Sequence, residues 1–266
     1  MSDQAMDTLI LSDVHLGSDV SRAREATELL TDTKFRRLVL LGDIFSDLNF
    51  RRLTSDHWKF LSRIRKLSNP KRKVEVVWVE GNHDQGLSQM MSHLVGVPVY
   101  QRYVWEYEGK RHLAIHGHQF DPFCRQNEAF GRFGERLFYT LQKLDSNSKR
   151  LSRFVDRINT RWLRMESRVA EGAFLYARAG RVDRIFCGHT HAASHQSRHG
   201  VDYYNSGSWI DANPTYLMID EEGVEIRKYE GAKYDYETSV NAAAETADLF
   251  DPAGLPSLGS YESLRC

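Results

Sequence analysis

An apolar run, Thr8-Leu9-Ile10-Leu11, opens the chain, and the same design returns at residues 37–42 (RLVLLG) and 74–81 (VEVVWVEG). Between these runs, the stretches near 21–31 and 55–67 space their apolar residues three and four apart. Short apolar runs bounded by Gly and polar residues, alternating with helical periodicity, predict βαβ units whose strands are buried. After Pro98 the pattern changes to strict alternation in YVWEYEGKRHLAIHG, which predicts two strands joined at Glu108-Gly109. Residues 123–179 carry apolar positions such as Phe130, Phe133, Leu137, Phe138 and Leu141, then Leu151, Phe154, Val155 and Ile158, at helical spacing. Strands return after Val182 in RIFCG, VDYYNSGSW, TYLMID and VEIRKY, with turns at His199-Gly200 and Glu222-Gly223. The expected fold class is α/β, with one domain over residues 1–237 that contains a helical insertion at about 123–180. Residues 238–266 lose all periodicity and gather Ala, Ser, Pro, Gly and acid, so they are expected to form a flexible acidic tail.

Composition adds class limits. The 41% hydrophobic and 11% aromatic content is that of a globular chain. The opening MSDQAMDTLI has neither a basic leader nor an apolar stretch, and no apolar run reaches the roughly 18 residues needed to span a bilayer. Cys124, Cys187 and Cys266 form no C-x-x-C pair, so a disulfide framework and a thiolate zinc site are not expected, and a cytoplasmic location is. Lys plus Arg equal Asp plus Glu at 36 each, but the balance hides a basic middle: 13 basic against 7 acidic residues from Asp121 to Arg181. That segment is either a solvated helix face or a surface for an anionic partner.

Chemistry enters at the ends of the expected strands. Asp13 and His15 follow the first, Asp43 the second, and Asn82, His83 and Asp84 the third; His116 and His118 follow HLAI, and His189 and His191 follow RIFCG. Ligand crevices of open α/β sheets lie at the carboxyl ends of strands, so five such ends can converge. Turn chemistry explains Gly-Asp after a strand, but it gives no reason for four of the five to contain His. Oxygen and imidazole donors without thiolate suit Mn, Fe, Zn and related divalent ions. A carboxylate able to bridge makes a pair of ions plausible, the arrangement used for in-line attack on phosphorus.

In this order, DVH (13–15), GD (42–43), GNHD (81–84), His116 and GHTH (188–191) resemble the calcineurin-like metallophosphoesterases. The resemblance implies a four-layer α/β/β/α sandwich with a dinuclear site. It implies that Asp13, His15 and His191 hold one divalent ion and Asn82, His116 and His189 the other, with Asp43 bridging and Mn2+ favoured over Fe, Zn or Co. It also implies that His83 contacts the phosphoryl group or protonates the leaving alkoxide, oriented by Asp84.

HGHQFDPF, the helical insertion and NSGSWIDANPTYLMID are similar to the subgroup that contains UDP-2,3-diacylglucosamine diphosphatase. That likeness implies a lipid-linked nucleotide sugar as substrate and a lid over its acyl chains. Phe130, Phe133, Phe138, Leu141, Phe154, Trp162 and Phe174 are then available to an acyl groove. Arg125, Arg157 and Arg161 would address diphosphate or anionic lipid heads, and a peripheral contact with an anionic membrane follows. This chain departs from the subgroup at His83, where the well-known diphosphatases have Arg, at His118, where relatives have Asp, and at Ser208, where the pattern is S-G-D-W. His118 is either a substrate contact or a group that orients His116. The competing readings are a broader phosphodiesterase or nucleotide pyrophosphatase without a lipid substrate, a nuclease, and a regulatory protein that binds metal without turnover. Nucleic acid is not the expected partner.

Overall fold

The three apolar runs become strands β1 (Met6–Leu11), β2 (Phe35–Leu41) and β3 (Glu75–Val79) in a computed structural model of the chain. The structure describes residues 6–47, 49–85, 92–93, 95–121 and 151–231, with backbone alone for 151–164. The expected tail at 238–266 and residues 123–150 of the expected insertion lie outside the described residues.

Helix α1 (Ala23–Asp32) joins β1 to β2, and α2 (Ser55–Leu67) joins β2 to β3. Both crossovers return the chain in parallel, with Leu9 beside Leu38 and Leu38 beside Val76. A short strand, β4 (Val99–Tyr100), closes one edge. The hairpin β5 (Tyr103–Tyr107) and β6 (Lys110–Ala114) then begins a second sheet. Its turn residues Glu108 (φ 50°) and Gly109 (φ 66°) are both left-handed, the conformation that matches the twist of a tight hairpin. The long helix α3 (Leu151–Ala179) leads into β7 (Arg184–Cys187), β8 (Ser194–Arg198) and β9 (Val201–Asn205). The chain then crosses back to the first sheet through β10 (Thr215–Asp220) and β11 (Gly223–Lys228). The six-stranded sheet has the order β11-β10-β1-β2-β3-β4, and the five-stranded sheet β5-β6-β7-β9-β8.

Period-two alternation explains how buried strands serve two cores at once. In the first sheet Leu9, Leu11, Leu38, Leu40, Val76 and Trp78 face α1 and α2, meeting Ala26, Leu30, Phe60 and Ile64. Their neighbours Ile10, Val39, Leu41, Val77 and Val79 face the second sheet, where they meet Trp105, Ala114, Phe186 and Tyr204. The far side of that sheet packs Leu113, Ile115, Ile185 and Tyr203 on Ala170, Ala173, Phe174 and Ala177 of α3. The result is the four-layer α/β/β/α sandwich. Each fully buried Leu, Ile or Phe contributes about 1.5–3 kcal/mol, so the three cores are the main source of stability.

Three sequence expectations change. Strand β8 reads Ser-His-Gln-Ser-Arg, with no apolar alternation to announce it. Among the described residues it is an edge strand, paired with β9, and His195 stacks on Tyr204 with ring centroids 4.3 Å apart. The expected strand VDYYNSGSW is strand only to Asn205, after which the backbone turns into the site. Phe174, expected to be available to acyl chains, is buried against Tyr203 in the outer core because its turn of α3 faces the sheet. Cys187 is a free buried thiol, pushed up by burial. Among the described residues no helix is long and apolar enough to cross a membrane.

Candidate metal centre

The chain turns sharply wherever it leaves a strand at this end of the sandwich. Asp13 (φ 53°), His15 (φ 50°), Asp43 (φ 51°), His189 (φ 66°) and His191 (φ 58°) are all left-handed. Asp and His tolerate that conformation better than most residues, yet each instance costs free energy and persists only where the surroundings hold it. The holding contacts are backbone bonds between the turns. Asp13 N–H donates to the Gly42 carbonyl at 3.0 Å, His15 N–H to Asp43 at 3.1 Å, and Leu16 N–H to Ile44 at 2.7 Å. Gly188 N–H donates to the His116 carbonyl at 2.9 Å, and Trp209 N–H to Asp13 at 3.0 Å.

Close approach explains the Gly that precedes three of the motifs. A Cβ on Gly188 would stand 2.5 Å from Asp13 Oδ2 and 2.6 Å from Ser12 Oγ. A Cβ on Gly81 would collide with Asp43.

Two clusters result. In the first, Asp13, His15 and His191 bring one potential donor atom each within 4.8 Å of the others; in the second, Asp43, His116 and His189 do the same. His191 Nε2 is 3.1 Å from Asp13 Oδ1, and His116 Nε2 is 3.2 Å from Asp43 Oδ2. The clusters are joined, since His189 of the second donates its N–H to Asp13 Oδ2 of the first at 3.1 Å. Asn82 is held between Gly81, packed on Asp43, and His83, whose N–H donates to Asp43 Oδ1 at 2.8 Å.

The donor set fits divalent cations. Asp13 Oδ1, Asn82 Oδ1 and His116 Nε2 are buried yet lack a hydrogen bond of acceptable geometry. Buried polar atoms are normally satisfied, and three such lone-pair carriers in one buried cluster fit the demand of a cation. His116 Nδ1 donates to the Leu41 carbonyl at 2.8 Å, which leaves Nε2 as the lone-pair nitrogen. Burial would raise the Asp13 carboxyl, but the charge of His191 and the polar contacts of His15 and His191 outweigh it and pull Asp13 well below the usual range. Asp43 is likewise raised by burial but drawn well below by His116 and His83. Burial would lower His116, but Asp43 beside it pushes it up to about 9.

The neighbours divide by what they touch. His83 Nδ1 donates to the Ser46 carbonyl at 2.8 Å, and its Nε2 lies 3.9 Å from Asp43 Oδ2. Asp84, expected to orient His83, instead accepts from Ile44 N–H at 3.1 Å and Phe45 N–H at 2.9 Å. It braces the turn that carries Asp43, and the contact that orients His83 is Ser46. Burial and the nearby Asp43 charge push Asp84 up to about 6. His118 sits beside the second cluster, 5.5 Å from the His116 ring and 6.3 Å from His189, and approaches Gln85 at 3.5 Å. Burial and the His116 charge bring it down to about 3. Arg125 lies outside the described residues, and Arg157 and Arg161 lie on the part of α3 described by backbone alone. Sequence reasoning assigned no role to Asp121, which accepts from His189 Nε2 at 3.1 Å. The only signal for it was a carboxylate at the end of HGHQFD.

Such a sandwich, with two donor clusters at its strand ends, defines the class of metal-dependent phosphoester hydrolases. Residues 6–193 match the family described as calcineurin-like phosphoesterase, and the chain belongs to that family. Among solved structures it is similar to an archaeal phosphodiesterase (16% identity over 84% of this chain and 98% of that one, TM-score 0.46). It is also similar to Yfce, a phosphoesterase from E. coli (19%, 85% and 94%, TM-score 0.46). A third is wild-type Vps29 from Entamoeba histolytica in complex with zinc (13%, 83% and 97%, TM-score 0.43). These likenesses concern the fold alone. No curated protein matches the sequence.

Proposed function

We propose that the centre takes two divalent ions and hydrolyses a pyrophosphate-linked, UDP-diacylglucosamine-like substrate. Asp13, His15 and His191 would hold one ion, Asn82, His116 and His189 the other, and Asp43 both. The observation that carries the metal reading is the pair of three-residue donor clusters joined through Asp13 and His189. Mn2+ is the ion to test first, with Fe, Zn and Co as alternatives.

When bound, the two cations neutralise phosphate oxygens and acidify a water for in-line attack. The chain's own residues do the rest. Asp43 holds the Asn82-His83 turn through its bond to His83 N–H and meets the first cluster through its carbonyl, which accepts from His15 N–H. His83, locked by Ser46 at Nδ1 with Nε2 on the Asp43 side, would act as the imidazolium, giving its Nε2 proton to the leaving oxygen as the bond to phosphorus breaks and remaining as the neutral Nδ1–H ring. Asp84 fixes the backbone at 44–45 and thereby Asp43. Serving a lipid-linked substrate requires the segment at about 123–180 to act as a cap, with Arg125, Arg157, Arg161 and His118 as substrate contacts and a peripheral membrane contact on the cytoplasmic face. The support is the likeness of HGHQFDPF and NSGSW to that subgroup and the basic surplus of the segment.

Burial of Phe174 in the outer core and His83 in place of Arg favour a second reading, a broader phosphodiesterase or nucleotide pyrophosphatase. Mass spectrometry of products after incubating Mn2+-loaded protein with UDP-2,3-diacylglucosamine, beside Asp43→Ala, decides between them. UMP and lipid-sugar phosphate from the wild type alone support the lipid substrate. No cleavage there, with Asp43-dependent hydrolysis of a simple phosphodiester, selects the second reading.

A further inference from the structure

Asp121 is buried, and its Oδ2 lies 3.1 Å from His189 Nε2, which is buried as well. A carboxylate can only accept, so Nε2 carries the hydrogen. In a neutral ring the lone pair then sits on Nδ1. We infer that Asp121 is a positioning residue, which holds the His189 ring and fixes the tautomer whose Nδ1 alone can bind a cation beside Asp43 and His116. The inference rests on the metal reading above and deepens it. A carboxylate partner also makes the ring a stronger donor than a carbonyl partner would, and it adds negative charge next to the second cluster. His116 uses the other device, a backbone carbonyl, so the two imidazoles of that cluster are fixed in opposite tautomers.

The fold places Asp121 deliberately. Gly117 (φ 110°) reverses the chain after His116, and Phe120 N–H and Asp121 N–H donate to the Gly117 and His118 carbonyls at 3.0 and 3.1 Å. This turn is clamped from outside by α3: a Cβ on Gly172 would stand 2.8 Å from Phe120 Cβ, and Phe120 packs on the Tyr176 ring at 5.6 Å. Asp121 is therefore tied to the helix layer as well as to the centre.

The test compares wild type, Asp121→Ala and Asp121→Asn as full-length proteins, with folding checked by circular dichroism. Imidazole 15N shifts of His189 in metal-free protein report the tautomer, and Mn2+ titration against a chelator reports both affinities. Expected are an Nε2–H tautomer in wild type, its loss in Asp121→Ala, and about 10- to 100-fold weaker binding of the second ion with the first unchanged. Asp121→Asn, whose amide oxygen still accepts, should stay within a few-fold of wild type. The inference is overturned if Asp121→Ala keeps the tautomer and both affinities. It is equally overturned if Asp121→Asn loses the second ion as fully as His189→Ala, which would make Asp121 a ligand itself. A wild type that takes up no Mn2+ would count against the metal reading, while the metal-free tautomer comparison would still judge Asp121.

Discussion

His116 and Leu41 are joined by a 2.8 Å hydrogen bond from imidazole Nδ1 to a backbone carbonyl, and the bond ties the loop after β6 to the last residue of β2. One side chain thus orients a candidate donor nitrogen and bridges the two sheets. His116→Ala should therefore lower stability even without metal, by about 1–3 kcal/mol for the buried carbonyl it leaves unpaired. Urea unfolding in chelator measures this, and an unchanged midpoint would show that the tie carries no stability.

His83 has its orienting bond outside the donor clusters, at Ser46. His83→Gln is expected to lower kcat by about 10²- to 10⁴-fold, the range for loss of a general acid. Metal stoichiometry should remain that of wild type. Elemental analysis beside steady-state kinetics checks both halves, and loss of metal together with kcat would mean that His83 is a ligand.

Gly188 has no room for a side chain, because a Cβ would meet Asp13 Oδ2 at 2.5 Å. Gly188→Ala should displace Asp13 and His189 together. The expectation is a drop in kcat/KM of about 10²-fold, the cost of a misplacement near 1 Å. A variant with wild-type turnover would show that the strand end can yield.

Metal removal should destabilise the fold, because ions that bind only the native centre add RT ln(1 + [L]/Kd), about 2.7 kcal/mol at 100 Kd. At roughly 2–4 °C per kcal/mol for a chain of this size, chelation should lower Tm by about 5–10 °C. Calorimetry with and without Mn2+ reads the shift, and no shift would argue against tight native-state binding.

Away from the centre, His112 is buried in an aromatic stack, 5.1 Å from the Trp105 ring and 5.7 Å from Phe186. Burial brings it down to about 4, against an opposing bond to the Lys110 carbonyl. The unfolded chain binds that proton near pH 6.5. Between those values the unfolded state holds more protons than the native state, so stability must fall as pH drops from about 6.5 towards about 4 and then level off. His112→Phe should remove this part of the slope in urea titrations at stepped pH. A slope identical to wild type would assign it to other groups.

Much of the site was legible because its motifs announce backbone events. Gly before Asp43, His189 and Asn82 marks close approach, and the five strand ends were visible as apolar runs stopping at donors. What escaped were features carried by polar surfaces or by packing between distant segments. Strand β8 has no alternation because an edge strand buries little. Asp84 reads like a partner for its neighbour His83, yet its oxygens are claimed by Ile44 and Phe45, forty and thirty-nine residues away. Asp121 meets His189 across 68 residues, and no local pattern encodes that pairing.

The left-handed turns that carry the donors are braced by contacts between segments distant in sequence. Asp13 meets His189 across 176 residues, and Trp209, in the segment that follows β9, donates its N–H to the Asp13 carbonyl. Closing contacts of such separation is slow and comes late in folding. A cation therefore finds no foothold on a half-formed chain, and its uptake is a clock that starts when the two halves have docked.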